Sequence, residues 1–118
     1  MEFDNDRPIY IQILEDFKGK ISSGKWKAGE KIDSVRNLAK EYEVNPNTVQ
    51  RALQELERDG LCHSQRTAGR FVTEDEKLIK SLSKNAFEII CDDFITSAKS
   101  LKIAKDDALE GIKNMWED

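Results

Sequence analysis

Residues 44–60, VNPNTVQRALQELERDG, form a helix with two faces of opposite chemistry if they form a helix at all. At about 100° per residue, Val49, Ala52, Leu53 and Leu56 share one arc, with the spacing of a stripe that packs inward. The opposite arc carries Asn47, Gln50, Arg51, Gln54 and Arg58, with Thr48 at its margin and no carboxylate in its first two turns. Asn45 suits the N-cap and Pro46 the first helical position, so the helix is expected to begin there and to run to Gly60. A solvated surface is also polar. Here, however, the side chains that can make bidentate contacts with base edges gather at the N-terminal end, the end that a recognition helix inserts into the major groove.

Working outward, only EVNP separates this helix from a shorter one, VRNLAKEYEV, which Ser34 can cap and whose buried side would be Val35, Leu38, Ala39 and Tyr42. Two short helices joined by a tight turn make a helix-turn-helix. Upstream, Pro8 can occupy the first position of a helix whose apolar stripe is Tyr10, Leu14, Phe17 and Ile21, with Gly24 as its stop. KWKAGEK follows as a turn-rich connector in which Trp26 anchors to the core. Downstream of Gly60, LCHSQ and RFVTE read as short strands separated by RTAG, a hairpin with Gly69 near its tip. Helix, helix, helix, hairpin is the order of a winged helix.

Beyond residue 73 the pattern is helical again. From Glu74, Leu78, Leu82, Ala86, Ile90, Phe94 and Ala98 recur every fourth residue, and Ile79, Phe87, Ile89, Ile95 and Leu101 widen that face. A second helix is expected over Lys105 to Trp116, with Ala108, Leu109, Ile112, Met115 and Trp116 apolar. The expected fold is therefore mainly α with a small β-hairpin: an N-terminal winged helix-turn-helix, 1–73, followed by a two-helix dimerisation region, 74–118. A helix of about 25 residues spans roughly 37 Å, and its broad apolar face exceeds what one short helix can cover. The surplus is expected to pair two copies of the chain through Leu82, Ala86, Phe87, Ile90, Phe94, Leu109, Ile112 and Trp116.

Composition narrows the function. A chain of 118 residues, 38% hydrophobic and 36% charged, has room for one main core. No apolar run exceeds about three residues, and Met1 leads directly into acidic, polar sequence, so neither a membrane span nor a secretory signal is expected, and the location is expected to be the cytoplasm. Cys62 and Cys91 lack metal-ligand or redox spacing and read as small apolar core residues; His63, the only histidine, reads as structural or surface. No metal or cofactor is expected. With no phosphate-cradling glycine loop and no catalytic histidine set, an enzyme is the weakest option.

The net charge of −4 disfavours nucleic acid at first sight. Its distribution does not. Residues 1–73 hold 12 Lys+Arg and 12 Asp+Glu, whereas 74–118 hold 7 against 11. Positions 34–36, 45–51 and 62–70, which a winged helix turns toward DNA, contain Arg36, Arg51, Arg66 and Arg70 and no acid. The set expected to face DNA includes Ser34 and Pro46 as well.

The segment DSVRNLAKEYEVNPNTVQRALQELERDGLCHSQRTAGRFV resembles the N-terminal domain of the GntR family of bacterial transcription regulators, whose pattern is similar to LPSVR, VNPNTV, ALQELE, GL and a glycine-tipped wing ending in FV. The likeness extends over about residues 8–73. The short remainder and the opening RPIYIQI resemble the YtrA-type subfamily, in which two helices mediate dimerisation. The resemblance implies that Arg36 contacts phosphate, and that Asn45, Asn47, Thr48, Gln50 and Arg51 meet the major groove and adjacent backbone. It also implies that Arg66 and Gly69 serve in a wing that approaches the minor groove. Two departures stand out: Asp33 where the family has proline, and RTAGR in place of a more basic, glycine-richer wing.

The leading expectation is a dimeric repressor on a palindromic operator in double-stranded DNA. The alternative is a winged helix used as a protein-interaction module that does not bind DNA. A small-molecule effector has no motif behind it: two short helices leave little room for a ligand cavity, and a site between subunits stays open.

Overall fold

A computed structural model describes residues 1–117 as two compact units, Met1–Ser83 and a second that begins at Lys84. The first contains α1 (Ile9–Ser22), α2 (Val35–Tyr42), α3 (Pro46–Arg58), β1 (Cys62–Gln65) and β2 (Gly69–Val72). It also holds the first two turns of α4 (Glu76–Ser100). The rest of α4 and α5 (Lys105–Met115) form the second.

Helix α1 begins one residue later than expected, because Pro8 is extended (φ −55°, ψ 138°) and sits at the cap. Its buried stripe is Ile13, Phe17 and Ile21, while Tyr10 and Leu14 lie at the margin. Buried beside that stripe, Gln12 accepts from the N–H of Asp4 (2.7 Å) and donates to the carbonyls of Asp4 (2.8 Å) and Arg7 (2.9 Å). A buried amide must find partners of this kind. Phe17 anchors the core, with Trp26 5.0 Å away and Tyr42 edge-on at 5.6 Å.

Leu38, Ala39 and Tyr42 of α2 and Val49, Ala52, Leu53 and Leu56 of α3 close over α1, with Val35 half-buried at the edge. Helix α3 stops at Arg58, not Gly60. Gly60 takes a left-handed φ of +78°, and the Leu61 N–H returns to the Leu56 carbonyl at 3.1 Å. That geometry suits a residue without Cβ.

Strands β1 and β2 pair antiparallel, Cys62 opposite Val72 and Gln65 opposite Gly69. A single 3-10 turn, Arg66–Ala68, makes the tip, so Gly69 opens the second strand instead of crowning the turn. The end of the segment read as a turn-rich connector from the sequence also pairs with the hairpin. Residues 29–32 run antiparallel along the free edge of β2, where Gly29 N–H meets the Val72 carbonyl (3.0 Å), Val72 N–H the Glu30 carbonyl (2.9 Å) and Ile32 N–H the Arg70 carbonyl (2.9 Å).

Of the cysteines, Cys62 is buried as expected, but Cys91 is only half-covered because α4 buries no residue fully. Helix α4 starts at Glu76, with the Asp75 carboxylate accepting from the N–H groups of Lys77 and Leu78, both at 3.1 Å. Leu78, Ile79 and Leu82 pack onto the core of the first unit, so Leu82 already has partners in its own chain. Within the second unit, Phe94, Ala98, Ile103 and Ala108 line two nearly wholly apolar hollows of about 300 and 320 Å³. Helix α5 ends at Met115, which leaves Trp116 beyond it and 74% exposed. No helix among the described residues is long and apolar enough to cross a membrane.

Candidate nucleic-acid interface

The start of α2 is fixed by its own side chains. Ser34 Oγ accepts from Asn37 N–H at 3.1 Å, and Asp33 accepts from the Asn37 amide (2.9 Å) and from Ser34 N–H (2.8 Å). Those donors, the Asn37 amide foremost, hold the Asp33 carboxyl below its ordinary range. The Asp33 acid, which departs from the pattern that the sequence resembles, is thus tied into the cap. Arg36 follows within the first turn of α2, exposed.

Between the two helices the chain reverses at Glu43, which adopts the left-handed region at φ +56°. Val44 N–H then reaches back to the Ala39 carbonyl at 3.0 Å. Asn45 caps α3 by accepting from Asn47 N–H at 2.8 Å, and Pro46 occupies the first turn, where its missing N–H is not needed. With one side of α3 pinned by four buried residues, Asn47, Arg51 and Gln54 are exposed, and Thr48 and Gln50 half-exposed, on the other.

Arg51 is not free to wander. Its guanidinium carbon lies 3.8 Å from the Tyr10 ring centroid, and Nη2 donates to the Tyr10 hydroxyl at 3.2 Å. Ile9, Tyr10, Asn47, Thr48 and Arg51 surround an open recess of about 380 Å³ at the meeting of α1 and α3. Among the described residues, none of Arg36, Arg51 and Arg66 is paired with a carboxylate.

Arg70 behaves differently from those three. It turns back toward α3, where Nη1 donates to Gln50 Oε1 at 3.4 Å and Nε stands 3.5 Å from Glu57, which itself accepts from Ser64 Oγ at 2.7 Å. The structure therefore uses Arg70 to tie the hairpin to the helix, with only one-fifth of its side chain exposed. Arg66 sits exposed in the tip. Gly69 has φ +110°, and a Cβ there would stand 3.0 Å from Lys31 Cε. Lys31, Asp33, Ser34, Thr67, Gly69 and Arg70 line a cleft of about 610 Å³ between the start of α2 and the hairpin. His63 is a surface residue stacked 6.2 Å from Phe71.

Ser34, Arg36, Asn45, Pro46, Asn47, Thr48, Gln50, Arg51, Arg66 and Gly69 thus lie on α2, α3 and the hairpin of one unit. Three participants do not follow from the sequence: its helical spacing places Tyr10 in the core stripe, Lys31 falls in the turn-rich connector, and nothing in the pattern singles out Glu57. No local pattern signals a contact such as that between Tyr10 and Arg51, which are 41 positions apart.

A family model described as "Bacterial regulatory proteins, gntR family" matches residues 9–72. Among curated proteins, the chain is 33% identical over 116 residues to the uncharacterized HTH-type transcriptional regulator YhcF of Bacillus subtilis, covering 98% of this chain and 96% of that one. The HTH-type transcriptional repressor YtrA of the same organism is 43% identical over 70 residues, 59% of this chain and 54% of that protein. Among solved structures, a GntR family transcriptional regulator from Listeria monocytogenes superposes with a TM-score of 0.87 at 36% identity, covering 97% of this chain and all of that one. The AraR DNA-binding domain in complex with operator ORR3 matches 62% of this chain and 88% of that one, with a TM-score of 0.56 and 27% identity.

Proposed function

Since the chain belongs to the bacterial GntR family, as a transcription regulator that binds DNA and not as an enzyme, we propose that it acts as a dimeric repressor on a palindromic operator in the cytoplasm. Helix α3 enters the major groove and the hairpin follows the adjacent minor groove. The carrying observation is the face of Asn47, Gln50 and Arg51, held outward by the buried Val49, Ala52, Leu53 and Leu56 and supported by unpaired Arg36 and Arg66. These donors suit base edges and phosphates. Asn45 and Thr48 contribute at the adjacent backbone.

A second copy of the chain is the proposed occupant of the apolar face in the second unit. Helices α4 and α5 bury no residue fully, while Phe87 (64%), Ile90 (63%) and Leu109 (54%) stand exposed. Ala86, Phe94, Ile112 and Trp116 are the other apolar residues proposed for it, whereas Leu82 packs on the core of the first unit. Contiguous exposure of this kind marks an association surface. Two copies would set two α3 helices on half-sites about one helical turn, roughly 34 Å, apart. No effector is included in the proposal.

The alternative of a protein-interaction module finds no support. A repressor and a domain bound to operator DNA stand among the similar proteins, and the reading face lacks a carboxylate in its first two turns. Fragments selected from the source genome by the purified chain, followed by gel shifts at rising salt, test the reading. Palindromic fragments, a steep loss of affinity with salt and a sedimenting species of twice 13.5 kDa are expected. Salt-insensitive capture of unrelated sequences, or 13.5 kDa monomers at micromolar concentration, overturns it.

A further inference from the structure

We propose that Tyr10 is a positioning residue for operator recognition: its ring and hydroxyl hold the Arg51 guanidinium in the orientation from which the remaining N–H groups read a base. The inference rests on the proposed entry of α3 into the major groove. Two contacts carry it, the ring under the guanidinium at 3.8 Å and the hydroxyl accepting from Nη2 at 3.2 Å. A guanidinium has five N–H donors in a rigid fork. One is engaged by Tyr10, and the others remain for the bidentate contact with guanine O6 and N7 that arginine favours.

The arrangement addresses a general cost. A long side chain must surrender its rotamer freedom when it binds. Stacking on Tyr10 removes much of that freedom beforehand, without a carboxylate that would compete with the base. Tyr10 is available for this task because the core stripe of α1 is Ile13, Phe17 and Ile21, which leaves the ring half-exposed beside Asn47 and Thr48. The ring's position is nonetheless firm, since α1 packs along α3 over the buried core.

The test compares Arg51→Ala, Tyr10→Leu, Tyr10→Phe and the double Tyr10→Leu/Arg51→Ala in the full chain. The readout is the ratio of affinities for the selected operator and for operators changed at single base pairs. Arg51→Ala first identifies the base pair whose discrimination depends on Arg51. At that pair Tyr10→Leu is expected to lose about two- to fivefold in the ratio, the scale of an exposed cation–π contact. Tyr10→Phe keeps the ring face and retains most of the discrimination, and the double variant loses no more than Arg51→Ala alone. A melting temperature close to the parent's for Tyr10→Leu separates positioning from unfolding. An unchanged ratio in Tyr10→Leu, or losses that multiply in the double variant, overturns the inference while leaving the groove reading intact. An Arg51→Ala variant with unchanged discrimination at every base pair also overturns the inference, and unchanged discrimination in Asn47→Ala and Gln50→Ala as well overturns the groove reading.

Discussion

Arg70 of the hairpin donates to Oε1 of Gln50 on α3 at 3.4 Å, so one arginine sets which end of a neighbouring amide remains free. With its oxygen engaged, Gln50 has its two N–H donors left to offer, which suit acceptors such as guanine O6 and N7 or thymine O4. Arg70→Met is expected to free Oε1 and shift preference at that base pair toward adenine, whose edge offers both a donor and an acceptor. Stability should fall by about 1 kcal/mol or less, since Glu57 keeps the Ser64 hydroxyl. Selection from a randomised operator gives the answer, and an unaltered base profile contradicts the role assigned to Arg70.

Asn45 separates capping from contact. Asn45→Ala removes the acceptor for Asn47 N–H and is expected to cost about 1 kcal/mol in chemical denaturation. Asn45→Asp keeps an acceptor at the positive end of the helix, so stability is expected to hold. Operator affinity should nonetheless fall, because a carboxylate then faces phosphate. Equal affinity for Asn45→Asp and the parent would place this residue away from the DNA backbone.

At Gly69 the backbone occupies a region, φ 110° and ψ −159°, that side chains with a Cβ avoid. Gly69→Ala is expected to destabilise by about 1–3 kcal/mol and to push against Lys31. Hydrogen exchange should report the change first in the amides of β2. A variant with parental stability and exchange would show that the hairpin tip relaxes freely.

Alkaline pH provides a further test. Burial pushes the Cys62 thiol from 9.0 up to about 11, and burial together with the Asp16 carboxylate raises the Tyr42 phenol above its ordinary 10.0. Both groups hold their protons more tightly folded than unfolded. Their contribution is therefore complete below pH 9, the lower of the two ordinary values, and Cys62's part is lost as pH rises toward about 11. Urea midpoints are expected to decline through that window, less steeply in Cys62→Ala. A midpoint that stays flat to pH 11 contradicts the shift.

The helix-turn-helix was legible because its signals are local: Ser34 and Asn45 cap, Pro46 starts a helix, and Val49, Ala52, Leu53 and Leu56 repeat at helical spacing. The expected inward stripe of α3 is the observed one. The structure adds what the sequence does not show where partners are distant in sequence. The edge pairing of residues 29–32 is made by backbone groups, which leave no trace in side-chain pattern. Tyr10 looked like a core residue because its spacing to Leu14, Phe17 and Ile21 is helical, but the actual centre of the stripe is Ile13. Arg70 counted toward a positive patch because charge can be read from sequence, whereas its turn toward Gln50 and Glu57 cannot.

The third extended segment along β2 makes the blade of the wing a shared product of two distant stretches of chain. Because facing alternates residue by residue in such pairing, an amino acid inserted or deleted in the bend between Gly24 and Gly29 that the turn did not absorb would slip the pairing frame under the blade. Natural length variation in that bend would then retune how the blade meets a duplex, with no change in the blade's own letters.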